Sequence, residues 1–368
     1  MATSPNYAWA EPDNSSLVKN GASDIRTLGD AIDTSVWNVG FGQAGKNKII
    51  NGDFAINQRN FTSTTTNGVF GFDRWALALS GATGTYSAQT FTPGTAPVAG
   101  YEASNFARLA ITVGNDGARL QQFIEDVRTF AGQTATLSFW AKGTNPTTAG
   151  NLSVKFIQSF GTGGSPSANV DLATQTFVLT ANWTRYSFTY AIPSIAGKTI
   201  GTTPNTSYLG LFIEQGTSVS TDPWTLDLWG VQVERGSKAT PFQTASGGSP
   251  QAELAMCQRY YWRFTPTLAA QRFASGDCAG TTTAHLFVSF PVTMRTRPTA
   301  LETSGTATDY SVASANVNTV CSAVPSFLTG SEVGASHILT VTAGLVLGYA
   351  ALGRAVNTSG YYGWSAEL

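Results

Sequence analysis

The chain is poor in charge. Asp, Glu, Lys and Arg supply 12% of its 368 residues and leave a formal net charge of −1, where average soluble domains carry roughly a quarter of charged residues. There is no basic run and no acidic tail. Phosphate neutralisation needs clustered Lys and Arg, so nucleic acid is excluded as a partner. Charge-driven membrane attachment fails for the same reason. Membrane insertion is not expected either, since the sequence has no run of about 18 apolar residues. The opening Met1-Ala2-Thr3-Ser4-Pro5 lacks the charged and apolar regions of a secretory signal, which reads as synthesis and folding in a cytoplasm.

Cysteine and histidine are equally scarce. Cys257, Cys278 and Cys321 all lie in the last third. An odd number at wide spacing is neither a disulfide framework nor a zinc site, so reduced, buried thiols are expected. The two histidines, His285 and His337, have no partner spacing around them. No nucleophile elbow, Walker loop or zinc motif occurs. Glu125 and Asp126 are adjacent carboxylates, and adjacent strand residues point to opposite faces, so they do not form a glycosidase pair by themselves. No enzyme is expected, and no cofactor is required.

What the chain has is glycine, hydroxyl side chains and aromatics. It carries 38 Gly, with 42% of residues hydrophobic and 11% aromatic, which is enough to build cores. Its length calls for two or three compact units. Residues 1–45 read as an attachment segment with one short helix, marked by the stripe Ile25, Leu28, Ile32 and Val36. Gly40–Gly45 reads as a linker. One such stripe cannot bury itself and needs a partner.

Residues 46–245 alternate with period two. Leu137, Phe139 and Ala141 do so, as do Leu152, Val154 and Phe156, then Leu209, Leu211 and Ile213. In the last such run, Thr225, Asp227, Trp229, Val231 and Val233 are assigned to one face. Short strands between polar turns predict a mainly β chain built on an antiparallel β-sandwich. Residues 246–368 open with Ser249 as a helix cap and Pro250 at the first helical position. Leu254, Cys257, Tyr261 and Phe264, spaced 3, 4 and 3, predict a helical seam for oligomerisation. Strand patterns then return, such as Leu286, Val288, Phe290, Val292 and Met294, and predict a C-terminal β domain.

Sugar recognition is the chemistry that this composition suits. Pyranose rings offer C–H faces to aromatics, and their hydroxyls need amide, carboxylate or Arg partners. Trp75, Trp140 and Trp229 read as core. Trp183 and Trp224, at loop edges in Ala-Asn-Trp-Thr and Asp-Pro-Trp-Thr, read as exposed glycan-binding candidates together with Tyr208.

Several segments, in order, resemble the tail-fibre and minor tail proteins of tailed bacteriophages. TSPNYAWAEPDNSSLVKNGASDIRTLGDAIDT resembles their adaptor. NKIINGDFAINQR, FDRW, RLQQFIEDVRTFAGQTATLSFWAKG and LDLWGVQVERGSKATPFQ resemble their carbohydrate-binding-module-type jelly roll. ELAMCQRYY, FPVTMRTRPT and YYGWSAEL resemble the β domain that follows it. The resemblance implies a virion protein: a homotrimeric fibre or spike, joined to other tail or virion proteins through the N-terminal segment and binding host surface polysaccharide. It also implies a structural calcium between Asp53 and Asp227. Two alternatives stay open: a passive head-fibre, collar or baseplate decoration, and a glycan depolymerase.

Overall fold

The computed structural model describes residues 2–3, 9–11, 17–39, 45–113, 117–146, 151–215, 222–315 and 317–368. Two short strands, β1 (Ala2–Thr3) and β2 (Ala10–Glu11), pair ahead of helix α1 (Gly21–Val39). On α1, Ile25 is 66% and Ile32 39% exposed, while Leu28 is half-buried. The Val36 side chain and residues 40–44 of the expected linker lie outside the described residues, as do Pro5 and Pro12.

The expected sandwich is present. Its first sheet holds β3 (Ser63–Thr64), β5 (Thr83–Thr90), β6 (Asn105–Val113), β8 (Thr134–Thr144), β12 (Thr184–Ala191) and β14 (Trp224–Arg235). Across that sheet the order is β12-β8-β14-β6-β5-β3. The second holds β4 (Ala76–Ala78), β7 (Arg119–Glu125), β9 (Leu152–Ser159), β10 (Val170–Asp171), β11 (Gln175–Phe177) and β13 (Tyr208–Gln215). There β13 lies between β7 and β9. All pairings in both sheets are antiparallel.

The period-two residues do the work of closing the two sheets on each other. Leu137, Phe139 and Ala141 face Leu152, Val154, Phe156, Leu209, Leu211 and Ile213 in one core, each fully buried. At about 1.5–3 kcal/mol for each large apolar side chain removed from water, this core dominates the stability of the unit. One strand departs from the expected alternation. In β14 the pairing with β8 shifts register between Trp229 and Gln232. The bulge turns Val231 and Val233 to the side of Leu226 and Leu228, opposite Asp227 and Trp229, and Trp229 is fully buried against Tyr101, Trp140 and Phe242.

Helix α2 (Pro250–Gln258) begins as its residues dictate: the Ser249 hydroxyl accepts from the Ala252 amide at 3.3 Å, and Pro250 occupies the first turn. The helix then ends earlier than the expected seam. Tyr261 and Phe264 lie on β15 (Tyr261–Phe264), because the run Tyr260-Tyr-Trp-Arg-Phe264 favours a pleated strand over a helix. Cys257 and Tyr261 are fully buried by their own chain, Leu254 is half-buried, and the four residues form no common helical face. The predicted seam is not present.

The rest of the C-terminal unit comprises β16 (Arg272–Cys278), β17 (Thr283–Ser289), β18 (Glu302–Thr303), β19 (Tyr310–Ser314), β20 (Val317–Val320), β21 (Ser326–Ser331), β22 (Gly334–Thr340), β23 (Ala350–Ala355) and β24 (Tyr362–Ser365). Seven strands run β20-β19-β23-β16-β17-β22-β21. The segment that links β20 to β21 crosses from one end of this sheet to the other. β20 pairs with β19, and the chain continues through Cys321 and Ser322, whose amides donate to Tyr310 and Thr340 carbonyls, both at 2.8 Å, into β21 beside β22. The sheet curls into a barrel-like unit in which β20 and β21 are the edge strands. The three-stranded sheet β15-β24-β18 packs against it.

The two units are joined by charge as well as by chain. The Arg259 guanidinium donates to Glu125 at 2.7 and 3.0 Å, and the Tyr260 hydroxyl donates to the same carboxylate at 2.9 Å. Burial opposes the charge on Glu125, yet these donors hold its carboxyl below the ordinary range. Arg74 pairs with Glu367 while lying 3.5 Å over the Tyr260 ring.

Candidate functional site

The outer face of the second sandwich sheet carries aromatic, charged and amide side chains side by side. It arises from the residues that alternate with the core positions of β13: Tyr208, Gly210, Phe212 and Glu214. In register, Glu125, Phe123, Gln121 and Arg119 of β7 lie opposite them on one side. Ser159, Ile157, Lys155 and Ser153 of β9 lie opposite on the other.

Phe123 therefore sits directly across from Gly210 and fills the space that a side chain there would take. A Cβ on Gly210 would meet Ile157 at 2.9 Å and the rings of Phe123 and Tyr208 at 3.2 Å. With that space free, the Phe123 ring stacks on Tyr208, centroids 4.2 Å apart and planes 15° from parallel. Both rings remain half-buried, so part of the pair faces water. Two positions along, Phe212 is flanked by cations: the Arg119 guanidinium lies 4.4 Å and the Lys155 ammonium 5.7 Å from its centroid. Glu214 pairs with Arg119 at 3.8 Å and with Lys155 at 3.4 Å. Phe212 and Glu214 are buried beneath these contacts, so the surface offered to solvent is the Phe123–Tyr208 pair with the partly exposed Arg119 and Lys155 two positions along.

The predicted site residues are distributed differently. Tyr208 belongs to this face. Trp224 does not, and its expected exposure is corrected: it is 1% exposed, with its indole N–H donating to Gln215 at 3.1 Å. It shares the inward side of β14 with Leu226 and Leu228, so the strand's pleat places it inside despite the preceding Asp-Pro. Trp183 lies half-buried on the outer side of the other sheet, against Phe91 and Phe106 at 5.5 and 5.4 Å, with the Lys142 ammonium 5.2 Å from its ring. Trp75 and Trp229 are fully buried and Trp140 is half-buried.

The implied calcium pair does not fit either. Arg108 grips Asp227 with two hydrogen bonds of 2.6 and 2.8 Å, and Lys142 stands 3.9 Å away, so this carboxylate is already neutralised. Asp53 accepts from the Tyr101 hydroxyl at 2.8 Å, and burial raises its carboxyl above the usual range. Among the described residues, no group of three or more His, Cys, Asp or Glu is placed to hold a metal ion.

Phe123, Phe212, Arg119 and Lys155 were not anticipated. The signal for Phe212 was present: in Tyr-Leu-Gly-Leu-Phe-Ile-Glu the core set Leu209, Leu211 and Ile213 leaves Tyr208, Gly210 and Phe212 on the other face, whereas Phe123, Arg119 and Lys155 join it only through strand pairing.

No protein-family model matches the chain, and no curated protein does. Solved structures are similar to parts of it. The xylan-binding domain CBM22-2 of Paenibacillus barcinonensis Xyn10C shares 15% identity over 46% of this chain and 94% of that one, with a TM-score of 0.30. The enzymatically active domain of tailspike protein 4 of bacteriophage CBA120 shares 15% over 52% of this chain and 22% of that one, with a TM-score of 0.30. A Stig cyclase, Fisc from Fischerella sp. TAU, shares 13% over 54% of this chain and all of that one, with a TM-score of 0.32.

Proposed function

We propose that the chain is a non-enzymatic carbohydrate-binding subunit of a tailed-phage fibre or spike, and that the sandwich holds the glycan across β9, β13 and β7. The stacked Phe123–Tyr208 pair carries this reading. A half-exposed ring pair beside a side-chain-free Gly210 offers a pyranose C–H face a place to lie. Gln121, Arg119 and Lys155 offer its hydroxyls partners on the same surface. The cations are already paired with Glu214, which suits a chain recognised through hydroxyls more than through charge.

The fibre setting is supported by the resemblance of the adaptor, jelly-roll and C-terminal segments to tail-fibre proteins. A homotrimer, with other virion proteins held through the N-terminal segment, is supported by the exposed Ile25 and Ile32 stripe, which asks for a partner. Sedimentation of the purified protein is expected to give three copies, and a monomer at micromolar concentration would remove the trimer. Binding is tested by retardation of the full chain in gels cast with bacterial surface polysaccharides. Retardation that Tyr208→Ala and Phe123→Ala both abolish supports the proposal. Absence of any retardation would favour the passive virion decoration. Release of reducing ends from the polysaccharide would make it a depolymerase.

A further inference from the structure

The C-terminal unit has a wide, shallow groove of about 530 Å3. It is lined by Trp262, Phe264, Phe273 and Phe287, with Ser275 and Ser289 among them. Phe287 is unusual. It lies in the middle of β17, yet 47% of it is exposed. Its cross-strand neighbours are Ser275 on β16 and Ser336 on β22, too small to cover it. Its ring reaches over Gly334, where a Cβ would lie 2.4 Å from the ring carbon Cζ. Glycine at that place lets the ring lean against the barrel wall and keep its remaining surface toward solvent. At the groove's edge Trp262 is itself fixed, stacked on Trp364 at 5.2 Å and 10° from parallel. The cation lining the groove is Arg272, and no carboxylate lines it.

We infer that this groove is a second carbohydrate-binding site, in which a sugar ring stacks on Phe287 between the hydroxyls of Ser275 and Ser289. The chemistry distinguishes it from a docking surface for a second copy. A protein contact of this kind is centred on a dry pocket packed by large side chains. Here the exposed serines Ser275 and Ser289 and the Arg272 guanidinium lie among the aromatics around the Phe287 ring, which matches a saccharide's apolar face and its ring of hydroxyls. Arg272 can donate to hydroxyl or carboxylate oxygens of the same ligand. This site lies on a different unit from the sandwich face and does not depend on the proposal made for it.

The test uses the full chain on a microarray of bacterial surface polysaccharides. It compares wild type with Phe287→Ala, Ser275→Arg (which blocks the groove without touching the core) and Tyr208→Ala. Loss of affinity by about tenfold for at least one glycan in both groove variants, with unchanged melting temperature, is the expected result. Tyr208→Ala is expected to leave that binding intact; if Tyr208→Ala removes it while the groove variants do not, the sandwich reading stands and this one fails. Glycan binding unaffected by either groove variant, or no glycan binding by wild type, overturns the inference. A groove variant that changes only the sedimenting mass also overturns it and assigns the groove to contacts between copies.

Discussion

The ring of Phe123 stacks on that of Tyr208 at 4.2 Å because residue 210, across the strand from Phe123, is glycine. This relationship ties a recognition surface to one missing side chain. Substituting Gly210→Ala places a methyl group against both rings and Ile157. The expected outcome is a loss of roughly 1–3 kcal/mol of stability by overpacking. A larger loss of polysaccharide affinity should accompany it, whereas Tyr208→Ala lowers affinity with little change in melting temperature. Thermal melts and gel retardation on the same samples check both.

The C-terminal barrel is expected to be acid-labile. His337 is fully buried, and neither ring nitrogen has a hydrogen-bond partner; the nearby Tyr362 hydroxyl and Trp364 indole N–H are likewise unpartnered. Burial pushes the imidazole from 6.5 down to about 4. The unfolded chain therefore binds this proton more readily, so the contribution is complete above pH 6.5 and is lost as pH falls toward 4, by about 3 kcal/mol. Asp73, at the junction with the sandwich, acts in the opposite sense. Burial raises its carboxyl from 3.8 to about 6, so its contribution improves as pH falls through that window. Calorimetry from pH 7 to 4 should show the barrel weakening first, and His337→Leu should remove the effect.

Glu367 is the clip between the units. It pairs with Arg74, which is 2% exposed, and stands 3.4 Å from Arg59. Glu367→Gln leaves a buried guanidinium without its counter-charge, and such losses cost about 3–5 kcal/mol. A single unfolding transition should split into two, read by differential scanning calorimetry.

All three thiols are free and buried. Burial drives Cys257 upward and Cys321 to about 12, so neither offers a thiolate at neutral pH. A chromogenic disulfide reagent should find no reactive thiol in the native chain and three after denaturation. Rapid native labelling would contradict the packing described for Cys257.

Much of the fold was legible because most sandwich strands bury one face, and burial of one face writes period two into the sequence. The bulge in β14 was hidden, since Trp-Gly-Val-Gln-Val alternates by spelling while the backbone adds a residue at that point. The helical seam failed for the converse reason. Leu254, Cys257, Tyr261 and Phe264 have heptad spacing, but the aromatic run from Tyr260 has strand preference and a pairing partner in β24. Trp224 looked exposed from its Asp-Pro neighbour, although the pleat of β14 decided its side. Only Tyr208 of the binding face was anticipated. Its partners come from β7 and β9, and their side-by-side register is a long-range property that no local pattern contains.

The most direct test of the central claim is titration calorimetry of the full chain with a bacterial surface polysaccharide that retards it in gels. The account predicts measurable binding in wild type that Phe123→Ala and Tyr208→Ala each weaken by about tenfold, with the fold intact by circular dichroism. Wild-type affinity in both variants would contradict it and remove the β7–β13–β9 face as the glycan surface.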